Sequence, residues 1–281
     1  MRALRPAQWL KNGVLFAGLV FGGKLFDLAA LSSAIIAALL FCCLSSGFYL
    51  INDVRDIEAD RAHPEKQKRP IAAGELSVKT ALPIGVTLIL LAALGSLLIS
   101  PFFTLSVLVY AGLMAAYNLG LREIVIVDVF AIAAGFVVRA AAGAIAVDVA
   151  ISPWLLLCTM LLALLIGFGK RRSELVLLDH ASRHRGTLEM YSRLLLDQAV
   201  AVTAAGTLIG YAVYTFDGET APQDHGMMLT IPFVAYGIFR YLYLLYRRDE
   251  GGAPETMFLA DHALLGSVIL WGILSAIVLY F

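Results

Sequence analysis

Residues 47–61 read Gly-Phe-Tyr-Leu-Ile-Asn-Asp-Val-Arg-Asp-Ile-Glu-Ala-Asp-Arg. An apolar run passes straight into an acidic one, with no turn residue between them. If the helix continues, Asn52, Asp56 and Asp60 stand at i, i+4 and i+8, which is one face, and Asp53 borders it. Carboxylates stacked this way repel one another unless a cation neutralises them. Oxygen-only ligands at a helix end suit Mg²⁺, with Mn²⁺ as a substitute, because Mg²⁺ takes one or two carboxylates together with phosphate oxygens and water. The alternative is a solvated helix end with internal ion pairs, such as Asp56 with Arg61. The acids abut a membrane-length apolar stretch, where charge is expensive.

Working outward, the rest of the chain has the same character. Of 281 residues, 60% are hydrophobic and 15% charged, and 21 Lys+Arg balance 21 Asp+Glu. A soluble domain carries about 25% charge, so a soluble protein, a disordered chain and a nucleic-acid binder are all excluded. Nine runs long enough to cross a bilayer as helix fall near 10–30, 31–51, 79–99, 101–120, 124–147, 152–169, 195–216, 227–246 and 262–281. The first is interrupted by Gly22, Gly23, Lys24 and Asp27 and reads as a retained helix, since no small-x-small cleavage site follows it. The expected architecture is an all-α membrane protein, a nine-helix bundle forming one domain over 1–281. With the N-terminus inside, 19 of the 21 Lys and Arg fall on the inner side; Lys24 is outside and Arg139 lies within a run. That split places the N-terminus and both long charged segments, 52–78 and 170–194, in the cytosol of a cell-membrane protein. Cys42, Cys43 and Cys158 form no CxxC pattern and read as small core residues.

The charged segments carry the chemistry. After the acids comes His63-Pro64-Glu65-Lys66-Gln67-Lys68-Arg69-Pro70, a basic loop stiffened by two prolines. Cations beside a carboxylate cluster suit a phosphorylated or diphosphorylated substrate, Arg gripping phosphate as a fork and Lys as a point charge. A lone His63 is a poor metal ligand. The second segment holds Lys170-Arg171-Arg172-Ser173-Glu174, then Glu189-Met190-Tyr191 and Asp197. A positive-inside helix stop explains the three cations equally well. Arg139 sits inside a membrane run, where an arginine faces a polar cavity or a partner. Asp128 lies eleven residues earlier on nearly the same face, about 16 Å away along the axis, so the two share a wall rather than a salt bridge. Gly135 and Gly143 flank Arg139 at four-residue spacing, giving close packing or ligand room. The N-terminal Leu4-Arg5-Pro6-Ala7-Gln8-Trp9-Leu10-Lys11-Asn12 suits a membrane interface.

The run Asn-Asp-x-x-Asp-x-x-x-Asp at 52–60, followed by Arg61 and Lys66–Gly74, resembles the first motif of the UbiA superfamily of intramembrane prenyltransferases. The resemblance covers essentially the whole chain. It implies a helical bundle around a central cavity open to the cytosolic face, with Mg²⁺-diphosphate held there by two Asp-rich motifs. The second motif departs from the usual Asp-x-x-x-Asp: Lys170-Arg171-Arg172-x-Glu174 and Glu189-x-Tyr191 stand in its place. With Arg5-Pro6-x-Gln8-Trp9-x-Lys11-Asn12 and Gly135-Phe136-x-x-Arg139-x-x-x-Gly143, the chain looks like the decaprenyl-phosphate phosphoribosyltransferase branch.

That branch joins the 5-phosphoribose of phosphoribosyl diphosphate to a polyprenyl phosphate and releases pyrophosphate, feeding cell-wall arabinan. The resemblance implies metal held by Asn52, Asp56 and Asp60. It implies a catalytic set of Asp56, Asp60, Arg61 and Lys66. Substrate contacts would come from Lys11, Asn12, Asp53, Arg61, Lys66, Arg69, Arg139, Lys170, Arg171, Arg172, Glu189 and Tyr191. The nucleophile is an ionised phosphate oxygen, so no histidine dyad is needed. Two other functions compete: prenyl transfer from a diphosphate to an aromatic acceptor, and transport of an anionic metabolite. The first shares the metal site but favours a second Asp motif; the second needs more midmembrane polar residues.

Overall fold

The computed structural model describes residues 2–62, 66–179, 187–217, 225–247, 257–258 and 260–281. His63, and Arg183, Arg185 and Arg248 among the cations counted on the inner side, lie outside them. The described residues form helices and turns, without strands. Among the described residues, eight helices are long and apolar enough to span a membrane, the seventh together with the 3-10 turn Gly226–Thr230 that leads into it. They are α1 (Leu28–Arg55), α2 (Val78–Ser96), α3 (Pro101–Leu119), α4 (Val127–Ala146), α5 (Pro153–Asp179), α6 (Arg193–Asp217), α7 (Ile231–Arg247) and α8 (His262–Tyr280). The protein is a multi-pass membrane protein.

Two boundaries differ from the sequence reading in a way that matters for the site. α1 runs 28 residues and α5 runs 27, about 40 Å each, well beyond the ~30 Å hydrocarbon layer. Both therefore carry their helices out into the charged segments. Asn52, Asp53 and Lys170–Glu174 sit on helix rather than in loops. Only Asp56 breaks the first extension, at φ −93° and ψ 12°, before a short helix Ile57–Arg61. The Asp56 N–H still donates to Asn52 O and the Asp60 N–H to Asp56 O, so the four-residue repeat survives the kink.

The first apolar run is not one α-helix. Pro6–Phe16 is a 3-10 helix and Ala17–Phe21 a single α turn and a half. The tighter coil rises about 2 Å per residue, so these 16 residues still extend about 30 Å. A 3-10 run this long is uncommon; here side chains along it are taken by tertiary partners. Trp9 Nε1 donates to Ser46 Oγ at 3.0 Å, and Asn12 is buried. Asp27, which interrupts the run in sequence, is the N-cap of α1, accepting from the Ala29 and Ala30 amides. Ser77 and Asp261 cap α2 and α8 in the same way.

The chain divides into two compact units. The first comprises 1–19, 24–119 and 138–149, and the second 20–23, 120–137 and 150–281. Phe41, Phe103, Tyr110, Leu15 and Ala142 form the first unit's core, with Phe41 edge-on to Phe103 and Tyr110. Close backbone approach holds it. A Cβ on Gly47 would stand 2.6 Å from Gly85 O, and one on Gly143 would strike the backbone of Leu15. The Gly143 spacing thus serves helix packing rather than ligand room. Lys24, the one cation counted outside, donates to Val147 O at 2.9 Å and Asp148 O at 3.0 Å, satisfying carbonyls past the end of α4. The second unit is built on Leu164, Leu165, Phe168, Leu196, Leu244 and Leu245, with a further aromatic cluster of Phe21, Tyr211, Tyr214 and Trp271.

Candidate active site: two charged clusters

In the first unit, the outward extension of α1 presents Asn52, Asp53, Asp56 and Asp60 to the protein side, while Arg55, Glu58 and Ala59 are exposed. Asp53 and Asp60 are almost fully buried. Arg69 joins them: its Nη1 donates to Asp60 Oδ2 at 2.6 Å and to Asp53 Oδ1 at 3.2 Å. Arg5 pairs with the same Asp53 oxygen from the N-terminal side and lies over the Tyr49 ring, 4.9 Å from its centroid. Arg61 pairs with the exposed Glu58 at 3.0 Å rather than with Asp56, and its Nε donates to Ala72 O at 3.2 Å. That second bond ties the Ile57–Arg61 helix to the turn carrying Arg69. Lys66 is half-buried at the start of this turn.

Arg5 did not emerge from sequence as a site residue. Its backbone is left-handed, φ 52° and ψ 61°, although it precedes Pro6, which disfavours anything but an extended conformation. Such a residue costs about 1–3 kcal/mol and persists only where its surroundings over-determine it. Here a buried carboxylate and an aromatic face hold its side chain. Its place in the Arg5-Pro6-x-Gln8-Trp9 run and its position directly before a proline were the signals the sequence offered.

Deeper in the same unit, Arg139 is buried, its Nε donating to Asn12 Oδ1 at 2.9 Å and its Nη2 to Tyr110 Oη at 2.5 Å. Its guanidinium also lies over the Tyr110 ring at 4.5 Å. Asn12 Nδ2 in turn donates to Cys42 Sγ at 3.2 Å. Lys11, beside Asn12, is half-buried.

In the second unit a different cluster forms around Asp128, at the start of α4. Arg171 Nε donates to Asp128 Oδ2 at 2.7 Å and its Nη1 to Glu174 Oε2 at 2.6 Å. The Tyr191 hydroxyl donates to Asp128 Oδ1 at 2.6 Å and accepts from the Ile126 N–H at 2.6 Å. Ile126 has φ 70°, a true outlier for a β-branched residue. This hydroxyl is what pins it. Arg172 is committed elsewhere: its Nε donates to Asp197 Oδ1 at 2.7 Å and its Nη1 to Leu245 O at 3.2 Å, with Tyr246 below at 4.3 Å. Asp197 is therefore an ion-pair partner. Lys170 is half-buried and Glu189 exposed. Asp128 and Arg139 each find partners within their own unit and do not pair.

Burial, and then the hydrogen bond to Asp128, push the Tyr191 phenol above its ordinary value. A raised value in the folded state gives a contribution fully present below the unfolded value of about 10 and lost only as pH rises through the folded one. Tyr191→Phe orphans the Ile126 amide and removes a donor from Asp128. We expect it to cost about 1–3 kcal/mol. The melting difference from wild type should stay constant from neutral pH to about pH 9; a difference that shrinks over that range would contradict a phenol held protonated.

Comparisons with known proteins agree with this architecture. Residues 13–265 match the model of the UbiA prenyltransferase family. The chain belongs to that family. It is 34% identical over 278 residues to the decaprenyl-phosphate phosphoribosyltransferase of Corynebacterium glutamicum, covering 96% of this chain and 83% of that one. The protein of the same name from Mycobacterium tuberculosis is 32% identical, with 96% and 91% covered. A UbiA homolog from Archaeoglobus fulgidus, solved bound to GPP and Mg²⁺, shares the fold at a TM-score of 0.75 and 19% identity, covering 100% and 99% of the two chains.

A family member of this kind raises the question of a metal. Among the described residues, no three His, Cys, Asp or Glu side chains converge into a closed cage. The donors on the α1 extension and the short helix after it are all oxygens; Asp53 and Asp60 are buried and already held by arginines, while Asn52 and Asp56 are half-buried. That set fits Mg²⁺, which keeps several waters and shares its shell with substrate phosphates rather than filling an all-protein cage.

Proposed function

We propose that this UbiA-family protein transfers 5-phosphoribose from phosphoribosyl diphosphate to a polyprenyl phosphate, releasing pyrophosphate. One observation carries the reading beyond the relatives' names. The second cluster is built on Arg171, with Lys170 beside it, where a prenyl-diphosphate user of the family has a second pair of aspartates. A guanidinium at that place suits a reaction with two phosphorylated substrates, because each needs its own anion grip. The α1 acids suit the leaving diphosphate. The N-terminus and both charged segments lie in the cytosol, and the lipid tail runs among the membrane helices.

The reaction breaks the bond from ribose C1 to the diphosphate oxygen and forms one from C1 to a lipid phosphate oxygen. Positive charge develops on the sugar and negative charge on the leaving group. Asn52, Asp56 and Asp60 would hold Mg²⁺, whose contribution is Lewis-acid neutralisation of the departing diphosphate. Lys66 and Arg69 add positive charge beside it. Arg171, held by Asp128 and Glu174, presents the phosphate grip of the second cluster with Lys170 beside it. The attacking oxygen is already ionised, so no general base is required.

The test is product identity. Purified protein with Mg²⁺, a polyprenyl phosphate and ribose-labelled phosphoribosyl diphosphate should move label into the lipid fraction, and the labelled lipid should carry both phosphates. Unlabelled lipid, with the same preparation prenylating hydroxybenzoate from a prenyl diphosphate, would replace this reading with aromatic prenylation.

A further inference from the structure

Asp53 and Asp60 meet on one guanidinium. Arg69 Nη1 bridges them, and Arg5 closes Asp53 from the other side. The two carboxylate side chains are 2% and 4% exposed, while Arg69 is 25% exposed. Two negative and two positive charges therefore balance without a metal. A dication added to this quartet would leave a net charge of +2 in a largely desolvated place, which is unfavourable unless anionic substrate arrives with it. The Nε–Nη2 edge of Arg69 donates to nothing among the described residues. The fork that phosphate prefers is thus in place before either carboxylate is released. The backbone around Arg69 is fixed independently, by Arg69 N–H to Lys66 O, Ala73 N–H to Arg69 O, and Arg61 to Ala72 O. Only its side chain needs to turn.

We infer that Arg69 is the resident counter-ion of the acid cluster: it holds Asp60 while no substrate is present and releases that carboxylate as its guanidinium turns to a diphosphate, so that metal and diphosphate enter together. This rests on the reading of Asp60 as a metal-holding residue. It makes Arg69 a coupling element between two ligands rather than a simple phosphate contact, and it predicts weak binding of metal alone.

The experiment is a Mn²⁺ titration of substrate-free, full-length protein by electron paramagnetic resonance. Arg69→Gln should bind Mn²⁺ at least about tenfold more tightly than wild type, a coupling of ordinary size. Adding Asp60→Asn to that variant should abolish the gain. Arg69→Lys, which keeps the counter-charge, should stay near wild type, separating charge competition from a loosened turn. Should Arg69→Gln fail to fold, Arg5→Gln carries the same test: Arg69 is then drawn to Asp53, Asp60 is freed, and Mn²⁺ binds more tightly. Unchanged or weaker Mn²⁺ affinity in the tested variant overturns the inference. If Mn²⁺ binding nevertheless depends on Asp56, the metal site stands without the Arg69 exchange; if no form binds Mn²⁺, both fall.

Discussion

Asp56→Ala and Asp60→Ala should each insert and fold, yet lose at least about a hundredfold of transfer activity, the scale of removing one element of electrostatic stabilisation from a reacting centre. EDTA should silence the wild type, and Mg²⁺ or Mn²⁺ should restore it. The two positions differ in their second effect. Asp56 is half-buried at the helix break, and its removal should leave stability close to wild type. Asp60 is buried and bonded to Arg69 at 2.6 Å. Its truncation leaves Arg69 with Asp53 alone and should lower the melting temperature, so relief of acid–acid repulsion is not expected there. Rates and melting curves on the same preparations check both parts; full activity in either variant would remove that residue from the metal site.

Arg139→Met should lose stability by about 3 kcal/mol, because it strands a buried Asn12 oxygen and the Tyr110 hydroxyl. These partners sit on the N-terminal 3-10 segment and on α3, so the arginine anchors that segment inside the membrane. Arg139→Lys keeps the charge but not the planar fork or its fit over Tyr110, and should fall between wild type and Met. The folded fraction of the Met variant should remain active. A normally stable Met variant that loses turnover would instead return Arg139 to direct substrate contact.

The membrane helices were legible because apolar runs of bilayer length have few alternatives in water or lipid. α2, α3, α4 and α8 match their runs to within a few residues. What misled was charge: Lys170–Glu174 read as part of a polar loop, whereas α5 simply continues past the bilayer, as α1 does through Asn52 and Asp53. Asp27 read as an interruption because a cap and a break look alike in sequence. The grouping of Asn52, Asp53, Asp56 and Asp60 on one face followed from four-residue periodicity, and Asp53 and Asp60 are indeed buried there. Their partners did not follow. Arg5 is 48 residues from Asp53, and Arg171 and Tyr191 are 43 and 63 from Asp128. Pairings across such separations are set by tertiary packing, which no local pattern records. Arg172 illustrates the cost: adjacent to Arg171 and alike in sequence, it is spent on Asp197 and Leu245 O.

The central claim is that this site moves a phosphoribosyl group rather than a prenyl group. The most direct measurement offers both donors to one purified preparation with Mg²⁺. Phosphoribosyl diphosphate carries label in the ribose, and a prenyl diphosphate carries a second label in the prenyl chain; polyprenyl phosphate and hydroxybenzoate are both present as acceptors. Ribose label should appear in the polyprenyl phosphate lipid, with pyrophosphate released in equal amount and no prenyl label in hydroxybenzoate. Prenyl label in hydroxybenzoate with none from ribose in the lipid would contradict it.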